Sequence, residues 1–201
     1  MEFRALSVEG AWEFGPRQFG DDRGVFLEWF SQRTFVAPTG REIPIAQANL
    51  SVSAAGVLRG IHFQDLPPGQ GKYVTCVSGA VLDVVVDIRV GSPTFGQWDS
   101  VMLDDVDRRA IFLSEGLGHA FMSLEDGSAV AYLCTTPYQP EREHEVNPLD
   151  PAIGIEWPTS GRDGAPIGAQ LSPKDEAAPL LSEARAAGLL PTFELGAPHG
   201  G

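Results

Sequence analysis

The sequence predicts an all-β sandwich or barrel. Three observations carry that expectation: many short apolar runs at close spacing, Gly/Pro punctuation between them, and clean polar/apolar alternation inside several of them. Between residues 45 and 138 the candidate strands are 46–53, 57–64, 73–77, 81–89, 101–103, 110–113, 121–124 and 130–135. Turn signals separate them at Leu66-Pro67-Pro68-Gly69, Ser78-Gly79, Gly91-Ser92-Pro93-Thr94, Glu115-Gly116 and Asp126-Gly127. Ahead of this block, Asp21-Asp22-Arg23-Gly24 marks a turn and 25–30 a strand, with a short helix or turn over 31–40 before Gly40. After it, one helix is expected over 176–187, stopped by Gly188 and Pro191. Residues 159–170 read as an exposed loop and 191–201 as a flexible tail, so 1–190 forms the single domain.

Composition narrows the function. The chain has 201 residues, 43% of them hydrophobic, which suits one core. A net charge of −13, from 27 acidic against 14 basic residues, argues against nucleic acid as a partner, and no basic amphipathic stretch suits a membrane surface. Cys76 and Cys134 sit in apolar strands and read as buried free thiols of a reducing compartment. Met1-Glu2-Phe3-Arg4 lacks the pattern of a secretory leader and no run of 18 apolar residues occurs, so the expectation is a soluble, cytoplasmic protein.

The polar groups collect on strand faces. In 46–53, Gln47, Asn49, Ser51 and Ser53 share one face, opposite Ala48, Leu50 and Val52. In 81–89, Asp83, Asp87 and Arg89 lie with Val85, opposite Leu82, Val84, Val86 and Ile88. An ordinary sheet would turn such polar faces to water; a small barrel can turn them inward around a ligand cavity, and two strands of this kind favour the inward arrangement.

Gly56-Val57-Leu58-Arg59-Gly60-Ile61-His62-Phe63-Gln64 is the chemical centre of the sequence. His62 is a candidate proton-transfer group, since imidazole exchanges protons near neutral pH. Arg59 and His62 are three positions apart and would face opposite ways on a regular strand. Both reach one cavity only if the strand bulges, and Gly60 is where a bulge is tolerated. Tyr132 and Tyr138 can donate protons. No H-x-H pair supports a metal shell around His62 and His119, and no serine sits in a nucleophile elbow. Acid–base chemistry without cofactor or metal remains.

Taken in order, Arg23-Gly24…Phe26…Glu28, Gln47-Ala48-Asn49, Gly56 to Phe63, Gln70-Gly71-Lys72, Asp83 to Arg89, Gly91 to Gly96, Gly116 to Phe121, Tyr132…Tyr138, Asp150-Pro151…Trp157-Pro158 and Leu171-Ser172-Pro173-Lys174-Asp175 resemble the dTDP-4-dehydrorhamnose 3,5-epimerases of nucleotide-sugar metabolism. The resemblance implies a cupin-like β-barrel (jelly roll) with a short C-terminal helix. It also implies a homodimer whose site is completed partly by the neighbouring chain, a dTDP-4-keto-6-deoxy sugar substrate, and neither cofactor nor metal. It further implies roles: His62 as general base, Asp175 as its orienting carboxylate, Tyr132 as general acid, and Lys72 as the cation near the sugar carbonyl oxygen. Arg23, Glu28, Gln47, Asn49, Arg59, His119 and Glu143 match positions that hold the sugar nucleotide, and Tyr138 the position that stacks on thymine. One departure stands out: His119-Ala120-Phe121 replaces the usual His-Gly-Phe. Relatives in antibiotic-sugar pathways that invert only one carbon, and a non-catalytic sugar-nucleotide-binding cupin, are the alternatives.

Overall fold

The structure, a computed structural model, describes residues 1–193. Its strands are β1 (Glu2–Ala5), β2 (Ala11–Gly15), β3 (Gln18–Asp21), β4 (Gly24–Leu27), β5 (Gln47–Ser53), β6 (Leu58–Gln64) and β7 (Lys72–Ser78). They continue with β8 (Ala80–Val86), β9 (Trp98–Asp104), β10 (Ala110–Leu113), β11 (Gly118–Ser123), β12 (Ser128–Cys134) and β13 (Glu143–Glu145). The described residues also form three short α-helices, α1 (Gln32–Thr39) between β4 and β5 and α2 (Pro173–Glu176) and α3 (Leu181–Ala186) after β13, and a 3-10 turn at Pro140–Arg142.

Two antiparallel sheets, in the orders β1-β2-β10-β7-β12-β5 and β13-β6-β11-β8-β9, face each other as a cupin-like barrel. The β3–β4 hairpin stands apart as its own two-stranded sheet. Alternation along the strands sorts side chains into three apolar layers. Between the sheets lie Val74, Cys76, Val81, Val85, Ile111, Leu113, Phe121 and Val130. Behind the first sheet, Phe14, Tyr73, Phe112 and Leu133 pack on Phe35 of α1 and Ile43. Behind the second, Ile61, Phe63, Val84, Val86, Ile88 and Ala120 pack on Leu181 and Ala184 of α3 and on Leu190.

The inward polar faces are as the alternation predicts. On β5, Leu50 and Val52 are 64% and 60% exposed, whereas Ser53 is buried and Gln47, Asn49 and Ser51 are half-buried. On β8, Asp83 is fully buried between the sheets. Asp87 and Arg89, just past the strand, close the barrel end: Arg89 donates to Asp87 through Nε (2.9 Å) and Nη2 (2.8 Å), and Ser92 and Thr94 hydroxyls donate to the same carboxylate. Cys76 and Cys134 are both buried and free.

Several expectations need correction. The single helix over 176–187 is two: α2 ends at Glu176 and α3 begins at Leu181. Pro179 lies between them, and proline lacks an N–H to continue a helix and biases its predecessor toward extended backbone. The 25–30 strand stops at Leu27, because Trp29 and Phe30 turn in against the layer beneath α1. The 81–89 strand stops at Val86. Strands β1, β2 and β3 were not separable in sequence from the Gly- and Pro-broken runs around them. Residues 191–193 of the expected tail are held: Val90 N–H donates to Pro191 O (2.8 Å) and Phe193 N–H to Val90 O (2.9 Å). Residues 194–201 lie outside the described residues.

The bulge on β6 is present. His119 of β11 faces His62 and Phe121 faces Arg59, so three steps along β6 match two along β11. Gly60 has φ +120°, and a Cβ there would sit 2.5 Å from both the Ala120 Cβ and the His119 carbonyl oxygen. Gly60→Ala should therefore lower stability by about 2–3 kcal/mol, the cost of backbone strain with a clash on top. Urea unfolding measures it; an unchanged midpoint would show that the bulge tolerates a side chain.

Candidate active site

The cleft opens at the end of the barrel where β6, β13 and α2 meet. Its volume is about 200 Å³, and Arg59, His62, Tyr138, Glu143, His144, Glu145, Ser172, Lys174 and Asp175 line it. Arg59 and His62 both reach it, as the bulge at Gly60 requires. The Arg59 guanidinium also donates to Ser53 Oγ at 3.2 Å, which ties it to the inward face of β5.

His62 is held from behind. Its Nε2 lies 2.6 Å from Asp175 Oδ1. Asp175 is buried, and its backbone N–H and second carboxylate oxygen are both taken by Ser172 Oγ, the cap of α2 (3.1 and 2.9 Å). Burial pushes the Asp175 carboxyl up, but hydrogen bonds from His62 and Ser172 and the His62 and Lys174 charges outweigh it, leaving the pKa below the ordinary value. An ionised carboxylate only accepts, so the imidazole proton sits on Nε2 and Nδ1 keeps the lone pair for the cleft.

Across the interior, the opposite sheet contributes Lys72 and Tyr132. Lys72 is 8% exposed and makes no ion pair within 4.0 Å among the described residues. Burial lowers its pKa, opposed by the charges of Cys134, Glu143 and Asp83. Burial raises the Tyr132 phenol pKa, so the hydroxyl stays protonated at neutral pH. Arg59 and Glu143, which line the cleft with His62, are also charged groups acting on the Tyr132 phenol. Imidazole and phenol thus come from opposing sheets and share the same charged neighbours.

Of the other predicted residues, His119 is buried opposite His62 and its Nε2 is 3.0 Å from each Asp83 oxygen. Burial raises the Asp83 pKa against the pull of His119 and Lys72. Asn49 lies across from Tyr132 on β5, and Gln47 Nε2 donates to Asn49 Oδ1 (2.8 Å). Glu143 and Tyr138 are at the cleft, Tyr138 with 60% exposure. Arg23 and Glu28 are not brought to it. Both are exposed on or beside the β3–β4 hairpin, where Arg23 pairs with Asp21 of the same turn. Lys174, Glu145 and His144 line the cleft without having been singled out in the sequence, although Lys174 sits inside the quoted Ser172–Asp175 run. Lys174 Nζ is 2.8 Å from Glu145 Oε2, joining α2 to β13 across the rim.

This arrangement inside a cupin-like barrel can serve acid–base chemistry. An imidazole nitrogen opens on the cleft, and the opposite sheet carries a phenol and an ammonium in the interior. Tyr132 and Lys72 are not among the residues that line the cleft itself. The chain belongs to the dTDP-4-dehydrorhamnose 3,5-epimerase family, whose profile matches residues 5–183. A dTDP-4-dehydrorhamnose 3,5-epimerase of Mycolicibacterium smegmatis is 58% identical over 96% of this chain and 92% of its own length. The rmlC epimerase structure from Mycobacterium tuberculosis superposes with TM-score 0.91 at 54% identity, covering 96% of this chain and 94% of that one. The structure of ChmJ, a 3'-monoepimerase from Streptomyces bikiniensis in complex with dTDP-quinovose, gives TM-score 0.87 at 51% identity over 93% and 91% of the two chains.

Asp175→Asn keeps the size of the side chain but loses its charge, and should slow proton abstraction by about 10²-fold. The depressed carboxyl pKa also sets a stability window. Its contribution is present above the unfolded value of about 4 and is lost as pH falls through the lower folded value. The melting-temperature gap between parent and Asp175→Asn should be open at pH 7 and close below about pH 4. A gap independent of pH would remove the Asp175 charge from the account.

Proposed function

We propose that this protein epimerises a dTDP-4-keto-6-deoxyhexose at C3 and C5, converting dTDP-4-dehydro-6-deoxy-D-glucose to dTDP-4-dehydro-L-rhamnose. The observation that carries the proposal is the His62–Asp175 pair at 2.6 Å, facing an interior that holds Tyr132 and a buried Lys72 with no ion pair among the described residues. Both carbons are α to the ketone, so each C–H is acidified by enolate formation. His62 takes the proton through Nδ1, and Asp175 stabilises the imidazolium that results. Lys72 meets the developing enolate oxygen with a charge that burial has already stripped of water, the preorganised electrostatic stabilisation that is usually the largest catalytic contribution. Tyr132 returns a proton from the other side of the ring. Arg59 and Lys174 offer the diphosphate fixed cations in an otherwise acidic protein, and Tyr138, exposed at the rim, offers the base a stacking face.

The second reading is inversion at one carbon, which the 51% identity to a 3'-monoepimerase supports. Parent enzyme and a dTDP-4-keto-6-deoxyglucose substrate in deuterated buffer, followed by NMR, distinguish the two. Label at C3 and C5 is the expected result; label at C3 alone assigns the monoepimerase, and none at either carbon sinks the epimerase. His62→Ala should abolish exchange at both carbons. Tyr132→Phe should slow inversion by about 10²-fold while leaving exchange measurable.

The working unit we propose is a homodimer in which each chain lends its β3–β4 hairpin to its neighbour. Phe19, Val25 and Phe26 stand 52%, 53% and 73% exposed there, and Leu50 and Val52 form an apolar outer face on the edge strand β5. Covering what each of these half- to three-quarters-exposed side chains leaves in water would gain about 1–2 kcal/mol, so a second copy is the natural cover. Arg23 and Glu28 would then serve the neighbour's cleft. Mixing inactive Arg23→Ala and His62→Ala proteins should restore about a quarter of the parent's active sites, because half the dimers are mixed and each has one intact site. No recovery after subunit exchange would place Arg23 in the service of its own chain.

A further inference from the structure

Gln64 closes β6 two positions beyond His62, on the same face of the strand. It is 4% exposed, does not line the cleft, and takes none of the roles assigned above. Yet nearly all of its carboxamide is engaged. Nε2 donates to Glu143 Oε1 at 2.6 Å and points its other hydrogen toward Pro137 O at 3.4 Å, while Oε1 accepts from the Thr136 hydroxyl at 3.2 Å. Two more glutamines hold the same turn. Gln70 Nε2 donates to Thr136 O (2.9 Å), and Gln47 Oε1 accepts from the Tyr138 N–H (2.8 Å).

These bonds lead to the site by two routes. Glu143 is at the cleft wall, and its charge acts on Lys72, Tyr132 and Cys134. The 136–138 turn carries Tyr138 to the rim. We infer that Gln64 is a positioning residue for the reaction, one that fixes the Glu143 side chain by donating to its Oε1 and sets where the turn presents Tyr138. The inference rests on the epimerase reading of the cleft. Only an amide serves both routes. A carboxylate at 64 would face Glu143 across 2.6 Å, and two carboxylates so close share a proton. An apolar side chain would leave a Glu143 oxygen without its donor, whereas the Thr136 hydroxyl would keep Gly69 O at 3.0 Å.

The test is steady-state kinetics across pH on the full-length protein, with Gln64→Met, Gln64→Glu, Glu143→Gln and the Gln64→Met/Glu143→Gln double variant. Gln64→Met should raise KM about tenfold, as expected for losing a hydrogen bond to a charged group, with kcat nearly unchanged. Gln64→Glu should move the acid limb of kcat/KM upward by about one pH unit or more, because the shared proton must leave before Glu143 is ionised. In the Glu143→Gln background most of the Gln64→Met effect should vanish, since the two act as a unit. Full additivity in that cycle would overturn the inference. So would variants that lose thermal stability while keeping the parent's KM and acid limb, for that is all a packing role predicts. Should Gln64→Met not fold, the acid limb of Gln64→Glu decides in the same way. A parent without exchange activity is a different failure, and sinks the epimerase reading itself.

Discussion

A residue inserted into one strand is the constraint from which the site follows. Strand alternation would send Arg59 and His62 to opposite sides of the second sheet. The extra step at Gly60 brings both to the cleft, while Ile61 and Phe63 still point into the layer against α3. Glycine is needed there for two separate reasons: a φ of +120° and the absence of room for any Cβ. Neighbouring strands then register to this one. β11 sets His119 opposite His62, and β13 sets Glu145 opposite His62 and Glu143 opposite Gln64. One short segment thus fixes the positions of groups that come from three strands.

The electrostatics of the interior follow from what each charge faces. Every histidine among the described residues has Nε2 on an aspartate: His62 on Asp175, His119 on Asp83 and His144 on Asp65. The repetition makes pairing alone a poor guide to chemistry. Exposure separates them. The His119 pair is buried with 8% and 0% side-chain exposure, whereas His62 keeps 37% of its ring accessible over a carboxylate that is 5% exposed. A proton-transfer group needs that asymmetry: one nitrogen fixed behind and the other open in front. Lys72 is the converse case, a cation buried without an ion pair among the described residues. Such a group is a liability for folding and an asset for meeting negative charge that develops next to it.

Much of this was legible in the sequence because alternation is a strong signal and the barrel obeys it. The inward stripe of β5, the buried Asp83 and the need for a bulge at Gly60 all follow from parity. What parity does not encode is which residues meet across long separations. Asp175 lies 113 positions from His62, and only the family likeness joined them beforehand. Lys174 and Glu145 escaped notice because charged residues in loops and at strand edges usually face water. Gln64 escaped because a glutamine at a strand end has no signature distinguishing it from a solvated one. The broken C-terminal helix had a signal in Pro179, outweighed by the helical composition on either side of it. Arg23 and Glu28 are a different case: within one chain they have no site to join.

Ala120 shows how the two faces of the second sheet divide the work. Its neighbours in sequence, His119 and Phe121, point between the sheets, whereas Ala120 is 1% exposed in the outer layer with Ile61, Val84 and Val86. Its methyl occupies space that Gly60 leaves open: a Cβ on residue 60 would come within 2.5 Å of it. The methyl that replaces the family's usual glycine is therefore absorbed into packing behind the sheet, and the cavity in front keeps its walls. The groups proposed to act on the ring, His62, Lys72 and Tyr132, lie on β6, β7 and β12 and not in this outer layer. On that ground, residue 120 belongs to the foundation of the bulge rather than to the selection of substrate.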